Sequence, residues 1–425
     1  MNRISWFLVF LVLPLFADNN PYNPEKKLAD MDITLFKPSK PAASFVPAVR
    51  TGNLVFLSGH VPRKPEGGYV TGKVGKDLTT AQAKDAARLT AVSLLSSLKN
   101  EIGNLQYVKR IVKVTGMVNA TPSFTEHSLV INGCSDLLIS IFGEKGRHAR
   151  AAVGMSSLPF NFAVEIEMIV EIGDKNYCAL VDAINSSERT QTFISRDQYR
   201  HPLETLTFFG IKRSMSVAEV WPGSSAWYME VLAPYLREEG LYIAAGFDQE
   251  TKSDFFKKAN AKFAEKLKSK PQLFDKVKVS ELAAPHKTAI APAGTLDAIL
   301  TFRNVHNWMW SKSEQDMFRA FYKALKPGGI LGVIEHRAPE TTDDIEAKRG
   351  YVKESYTLEL AKKAGFKFVA SSDINNNPKD ITTYPTGVWT LPPTLRLKEK
   401  DREKYMAIGE SDRFTLKFIK PKTAK

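Results

Sequence analysis

Arg150, in the run HARAAVG, and the alternating pair Glu165 and Glu167, in the run VEIE, form the first set of residues able to do chemistry. A guanidinium binds a small carboxylic acid through paired hydrogen bonds, and a nearby carboxylate can orient a water. Residues two apart on a strand face one side, so Glu165 and Glu167 fall together. By type alone the three also describe a surface ion pair. The second set lies in VAEVWPGSSAWYMEVL, residues 217–232. There Glu219 ends an apolar strand, and a turn of small residues (Gly223, Ser224, Ser225, Ala226) opens a helix. Small residues let a backbone approach a ligand, and a helix N-terminus offers free N–H groups. The G-x-G-x-x-G spacing of a dinucleotide site is absent. The stretch is therefore either a plain strand–helix turn or the loop of a cofactor without a pyrophosphate. Asp248, after GLYIAAGF, is the acid available for ribose hydroxyls. The third set is Asn304, His306 and Asn307, with Glu335 and His336 after the next strand. His306 is either a general base or a hydrogen-bonded packing residue. Trp221, Trp227, Trp308 and Trp310 share these loops and either wall a pocket or pack. Asn304 and Trp308 are assigned to the substrate side. Cys134 and Cys178 form no CxxC pair and no cluster with histidines, so no metal site is expected.

Two folding units position these residues. From 31 to 175 the pattern runs strand (GNLVFLSGHVP), helix (an alanine-rich face through Ala87, Ala91, Leu94, Leu95 and Leu98), strand, helix, strand (FAVEIEMIVEI). That order predicts an α+β layer with helices on one face of a sheet. Residues 176–200 are polar without sustained period and are expected to be a linker. From 201 to 420 strands and helices alternate, which predicts a doubly wound α/β sheet.

The chain has a formal charge of +13, is 43% hydrophobic and 25% charged, and reads as globular. Lysines and arginines are spread along it with no basic stripe interleaved with aromatics, so no nucleic-acid partner is expected. Residues 1–17, MNRISWFLVFLVLPLFA, resemble a signal peptide: a short basic start, then an apolar run too short and too Pro-broken for a comfortable span. Residues 18–30 are expected to be a connector. The mature chain is then periplasmic or secreted with no stable membrane span, unless the leader stays as an anchor.

GNLVFLSGHVP, the alanine-rich helix, HARAAVG…SLP and VEIE together resemble the RidA (YjgF, reactive-intermediate deaminase) family over residues 31–175. The resemblance implies a chorismate-mutase-like α+β fold and a homo-trimer with pockets between subunits. It implies that Arg150 binds the carboxylate of a 2-imino acid and that Glu165 positions the hydrolytic water. Phe45 stands near the pocket entrance where active members have Tyr, and Ala152 stands where Cys is common.

LKPGGILGVIEHRA (325–338), preceded by TLDAILTFRNVHNWM (295–309), resembles the later motifs of class I S-adenosylmethionine-dependent methyltransferases, and the tail resembles an exported bacterial group of them. The resemblance implies a Rossmann-like methyltransferase domain. It places Glu219, Gly223, Ser224, Ser225 and Asp248 at S-adenosylmethionine, and Asn304, His306 and Trp308 toward the acceptor. Ser224, Ser225 and Ala226 replace residues that tend to be glycines there. The expected function is methyl transfer to an unidentified small-molecule acceptor, fused to a domain that binds a small carboxylate or imino acid. The alternatives are a non-catalytic binding or sensing protein, or an imine deaminase whose second domain has decayed.

Overall fold

Residues 23–38 and 44–422 are described in the computed structural model of the chain. The leader expected at residues 1–17 lies outside them. Part of the expected connector is instead helix α1 (Pro24–Asp30), capped by Asn23, with Leu28 buried in the first core. One buried leucine on a polar helix is too little periodicity to read from sequence.

In the N-terminal domain α2 (Thr80–Ile102) starts at a capping box between Thr79 and Gln82 and buries Ala87, Ala91, Leu94, Leu95 and Leu98. Its small residues admit α3 (His127–Phe142) closely: a Cβ on Gly133 would strike the Lys84 carbonyl. Both helices cover one face of a five-stranded sheet. Its order is β1 (Ala48–Thr51), β2 (Leu54–His60), β5 (Val164–Ile172), β3 (Val108–Asn119), β4 (Ala149–Met155), antiparallel except for β3 with β4. Val49, Phe56, Val153 and Met155 remain exposed.

Residues 176–200 are not a linker. They lie in α4 (Lys175–Ile184), α5 (Gln191–Ile194) and α6 (Asp197–Arg200), and α7 (Pro202–Phe209) follows. Leu180, Val181 and Ile184 join the core of the C-terminal domain, and Arg189 makes a buried ion pair with Asp197 at 2.7 Å. Among the polar residues of this stretch Arg189, Asp197 and Arg200 are buried, while most of the others remain at the surface.

The second sheet is built from β6 (Ser216–Val220), β7 (Leu241–Gly246), β8 (Lys278–Glu281), β9 (Leu296–Phe302), β10 (Leu325–Ala338), β12 (Lys367–Ser372) and β13 (Arg413–Ile419), and the short β11 (Val352–Lys353) pairs beside β10. Its order is β12-β13-β10-β9-β6-β7-β8. β13 runs antiparallel to both its neighbours, and the strands from β10 to β8 are parallel. Helices α8 (Met229–Leu236), α9 (Asp254–Ser269), α10 (Pro271–Phe274), α11 (Val305–Trp310), α12 (Glu314–Ala324), α13 (Glu354–Lys363) and α14 (Arg402–Ile408) complete the domain. Separate apolar clusters lie around the sheet. This is a Rossmann-like, doubly wound α/β fold, with the chain order reversing between β6 and β9. The half-exposed edge strand β8 carries no clear alternation and was not legible in the sequence. Among the described residues no helix is long and apolar enough to cross a membrane.

Candidate functional site

Arg150 stands on β4 opposite Val114, a position that faces the helix layer. Its guanidinium donates to Asn132 Oδ1 at 2.8 Å and Ser135 Oγ at 3.1 Å, both on α3. Glu165 stands opposite Met117, between the buried Val164 and Ile166, and so faces the other side of the sheet. Its carboxylate covers Gly59, where any side chain would collide with it. Burial raises the Glu165 pKa, and the neighbouring charge of Glu167 adds to the rise. Phe45 is half exposed and lines a cavity of about 140 Å³ that Gly59 and Tyr69 also line. Within one chain, therefore, Phe45 and Glu165 gather near Gly59 while Arg150 lies on the opposite face. The clamp expected from the sequence is not formed inside a single subunit.

In a doubly wound sheet the ligand crevice lies at the carboxyl ends of the strands where the chain order reverses, here β6 and β9. Trp221, the first residue after β6, holds φ +48°. Its amide donates to Ala245 O on β7 at 2.8 Å, and its indole Nε1 donates to Leu282 O after β8 at 2.8 Å. Its ring packs on Phe247 (centroids 5.0 Å apart) and Trp308 (5.8 Å). The indole thus lies across the carboxyl ends of β6 to β9, where a doubly wound fold takes its ligand. Gly223 is left-handed at φ +69° with open space around it, and Ser224 and Ser225 are exposed. Ala226 is left-handed at φ +42° and fully buried. Each non-glycine residue held there costs about 1–2 kcal/mol.

Glu219 is 3% exposed and accepts a hydrogen bond from Tyr242 Oη at 2.6 Å. Burial lifts its pKa to about 7, against the opposing Tyr242 hydrogen bond and the charge of Arg303. Asp248 does not stand free for a ribose. Lys287 Nζ holds it at 2.7 Å and also binds Glu281 and Glu250, and that Lys287 hydrogen bond keeps its pKa below the usual range.

Two residues assigned to the substrate side are structural. Asn304 Nδ2 donates to Val220 O at 2.9 Å, tying the ends of β6 and β9 together. Trp308 is fully buried, between Trp221 and the α12 residues Phe318 and Phe321. His306 keeps a chemical arrangement. Its Nδ1 lies 3.1 Å from Glu335 Oε1, and Glu335, wholly buried, also accepts from the amides of His306 (3.3 Å) and His336 (2.8 Å). In the tautomer whose Nδ1–H donates to Glu335, Nε2 is the nitrogen left as an acceptor. No described residue hydrogen-bonds that Nε2. Trp310 and Trp389 pack on the ring at 5.4 and 6.0 Å. His336 Nδ1 meets Ser411 Oγ at 2.5 Å.

His306, Glu335 and His336, grouped by the sequence but not as metal ligands, bring ligand-type atoms within 4.8 Å of one another. The surroundings of His336 disfavour its protonated form. Burial first, then His306, Arg303, Arg413 and Arg200, push the His336 pKa well below its ordinary value.

Residues 28–172 match the family described as "YjgF/chorismate_mutase-like, putative endoribonuclease". Over 148 residues the chain is 43% identical to Protein TCP17 of Trypanosoma cruzi, which covers 35% of this chain and 92% of that protein. The chain belongs to the YjgF family. A solved YjgF-sized structure, the protein Atu1372 of Agrobacterium tumefaciens, is 45% identical over 35% of this chain and 91% of its own, with a TM-score of 0.32. A SAM-dependent methyltransferase of Aquifex aeolicus is 16% identical, covers 58% of this chain and 100% of its own, and has a TM-score of 0.36.

The YjgF domain thus carries Arg150 and Glu165 on separate faces, and the appended fold carries a His–Glu dyad beside an aromatic crevice. Sequence reasoning missed Arg196, Arg200, Arg303, Glu410 and Ser411, which converge from three distant segments. None lies in a motif, and no local signal could have grouped them.

Proposed function

We propose that the C-terminal domain transfers a methyl group from S-adenosylmethionine to a small nucleophile, and that the YjgF domain binds a small carboxylate at Arg150. The buried His306–Glu335 dyad, with Nε2 unclaimed at the carboxyl ends of β9 and β10, is the observation that supports this reading most directly.

The donor suits the residues at one end of the crevice by stacking. Trp221 and Phe247, backed by the buried Trp308, offer aromatic surface for an adenine ring, and Gly223 leaves its loop open. When bound, S-adenosylmethionine supplies an electrophilic methyl carbon on a sulfonium. The rest is positioning by this chain. His306 Nε2 takes the proton that the acceptor's hydroxyl or amine loses as its lone pair bonds carbon. Glu335 fixes the ring and stabilises the imidazolium through Nδ1. Trp310 and Trp389 keep water from the ring.

In the YjgF domain a pocket that uses both Arg150 and Glu165 takes them from two subunits. The exposed Val49, Phe56, Val153 and Met155 supply apolar surface for self-association as a homo-trimer. The leader would deliver the mature protein to the periplasm or beyond. Incubation of the protein with methyl-labelled S-adenosylmethionine and a small-molecule cell extract tests the reading. Label moves into a new compound with the wild type and not with His306→Gln; no transfer by the wild type contradicts it.

One observation favours a second reading, ligand binding without turnover. Trp221 already fills the crevice where an adenosyl group approaches, and two of the three left-handed loop residues are not glycine. In that case S-adenosylmethionine and its demethylated product both fail to bind.

A further inference from the structure

Three guanidiniums bond one buried carboxylate, Glu410, and a fourth, that of Arg303, lies within electrostatic reach of it. Glu410 accepts from Arg196 Nε at 2.7 Å, from Arg200 Nε at 3.2 Å and from Arg413 Nη1 at 3.1 Å. Arg413 is otherwise satisfied, by Tyr199 O at 2.7 Å and Ser411 O at 3.1 Å. The other three are not. Arg200 Nη1 and Arg196 Nη2 are buried with no partner, and the Arg200 side chain is only 3% exposed. Arg303, just past the end of β9, makes no side-chain hydrogen bond or ion pair with any described residue, yet its charge reaches Arg200, Arg196, Arg413 and Glu410. It also holds φ +63°, a conformation a side chain of this size rarely adopts. His336, Tyr228 and Glu219 lie within electrostatic reach of the same group.

Unsatisfied buried guanidinium donors are costly, and like charges held together are costlier. A bound oxyanion removes both penalties, and the planar fork of arginine matches a carboxylate or phosphate. Structural pairing explains Arg413 but not the buried free donors of Arg196 and Arg200, nor the half-buried, unpaired guanidinium of Arg303 beside them. A cation at His306–Glu335–His336 would face the same positive field, so this end of the crevice favours a negative ligand.

We infer that Arg303, with Arg200 and Arg196, forms a binding site for a small oxyanion, a carboxylate or phosphate group, beside the His306–Glu335 dyad. The anion is either an acid group on the acceptor or the carboxylate of the methyl donor. Only that choice rests on the methyl-transfer reading.

The test uses the full mature protein, inorganic phosphate, S-adenosylhomocysteine and 5′-methylthioadenosine, which lacks the amino-acid carboxylate. Phosphate raises the melting temperature of the wild type and binds about tenfold or more weakly to Arg303→Gln. Without phosphate Arg303→Gln melts at or above the wild type, because one of four crowded guanidiniums is gone. Arg196→Gln gives a second, independent loss of phosphate stabilisation. Equal phosphate stabilisation of the wild type and both variants, or none in the wild type, overturns the inference. If Arg303→Gln weakens S-adenosylhomocysteine but not 5′-methylthioadenosine, the anion is the donor's carboxylate. If phosphate and S-adenosylhomocysteine bind together and independently, it belongs to the acceptor. If phosphate binds and neither nucleoside does, the anion site stands and methyl transfer falls.

Discussion

Trp221 Nε1 donates to Leu282 O at 2.8 Å, which fixes the indole across the ends of four neighbouring strands. Trp221 immediately follows β6, where the strand order reverses, so this one side chain decides how the crevice is used. If the adenine of S-adenosylmethionine stacks on it, Trp221→Ala weakens S-adenosylhomocysteine by about tenfold, the scale of one aromatic contact. Tighter binding by the variant, measured by calorimetry, would mean that the indole is a plug.

Glu335 is a wholly buried acceptor with three hydrogen bonds to satisfy. It serves the amides of His306 and His336 and the His306 ring while wholly buried. Glu335→Leu strands these donors and destabilises the protein by about 3 kcal/mol or more in chemical denaturation. His306→Gln, by contrast, keeps most of the stability and lowers methyl transfer by about 10²–10⁴-fold.

Two buried carboxylates of the C-terminal domain respond to pH with opposite sign. Burial raises Glu219 from 4.5 to about 7, so the folded state holds its proton more tightly than the unfolded chain. Its stabilising contribution is full below 4.5 and is lost as pH rises to 7, up to about 3 kcal/mol. Glu219→Gln flattens that limb. Burial alone would raise Glu410 too, but Arg200, Arg413, Arg196 and Arg303 outweigh it and hold its pKa far below the usual range. Its contribution is full above the unfolded value of about 4.3 and is lost as pH falls from there. Glu410→Gln removes that acid limb and lowers stability at neutral pH. Melting curves of both variants from pH 3 to 8 check the signs.

Arg150 and Glu165 occupy opposite faces of one sheet, so a pocket that used both would draw them from different subunits. If such a pocket hydrolyses 2-imino acids, Arg150→Ala and Glu165→Gln each abolish the ammonia release. Mixed and reassembled, they recover about one quarter of the wild-type rate, since a quarter of the subunit junctions then carry both intact residues. No recovery would place the two in one chain's site or in none.

The strands and helices with strong periodicity, such as Thr80–Ile102 and Leu296–Phe302, were legible because their apolar residues repeat at the spacing of the buried face. Residues 176–200 were misread because their burial is polar: Arg189 with Asp197 looks in sequence like any loop. In the candidate site, His306 and Glu335 were visible as types at strand ends, but their contact was not. Asn304 and Trp308 sit where a ligand residue would, yet tie strands and fill the core. The arginine group was invisible, because residues 196–200, 303 and 410–413 meet only once the sheet is wound.

The central claim, that this crevice takes the methyl donor, is tested most directly by calorimetric titration of the mature protein with S-adenosylmethionine and S-adenosylhomocysteine. The account predicts saturable binding of both, weakened by Trp221→Ala. Failure of both to bind at millimolar concentration would contradict it.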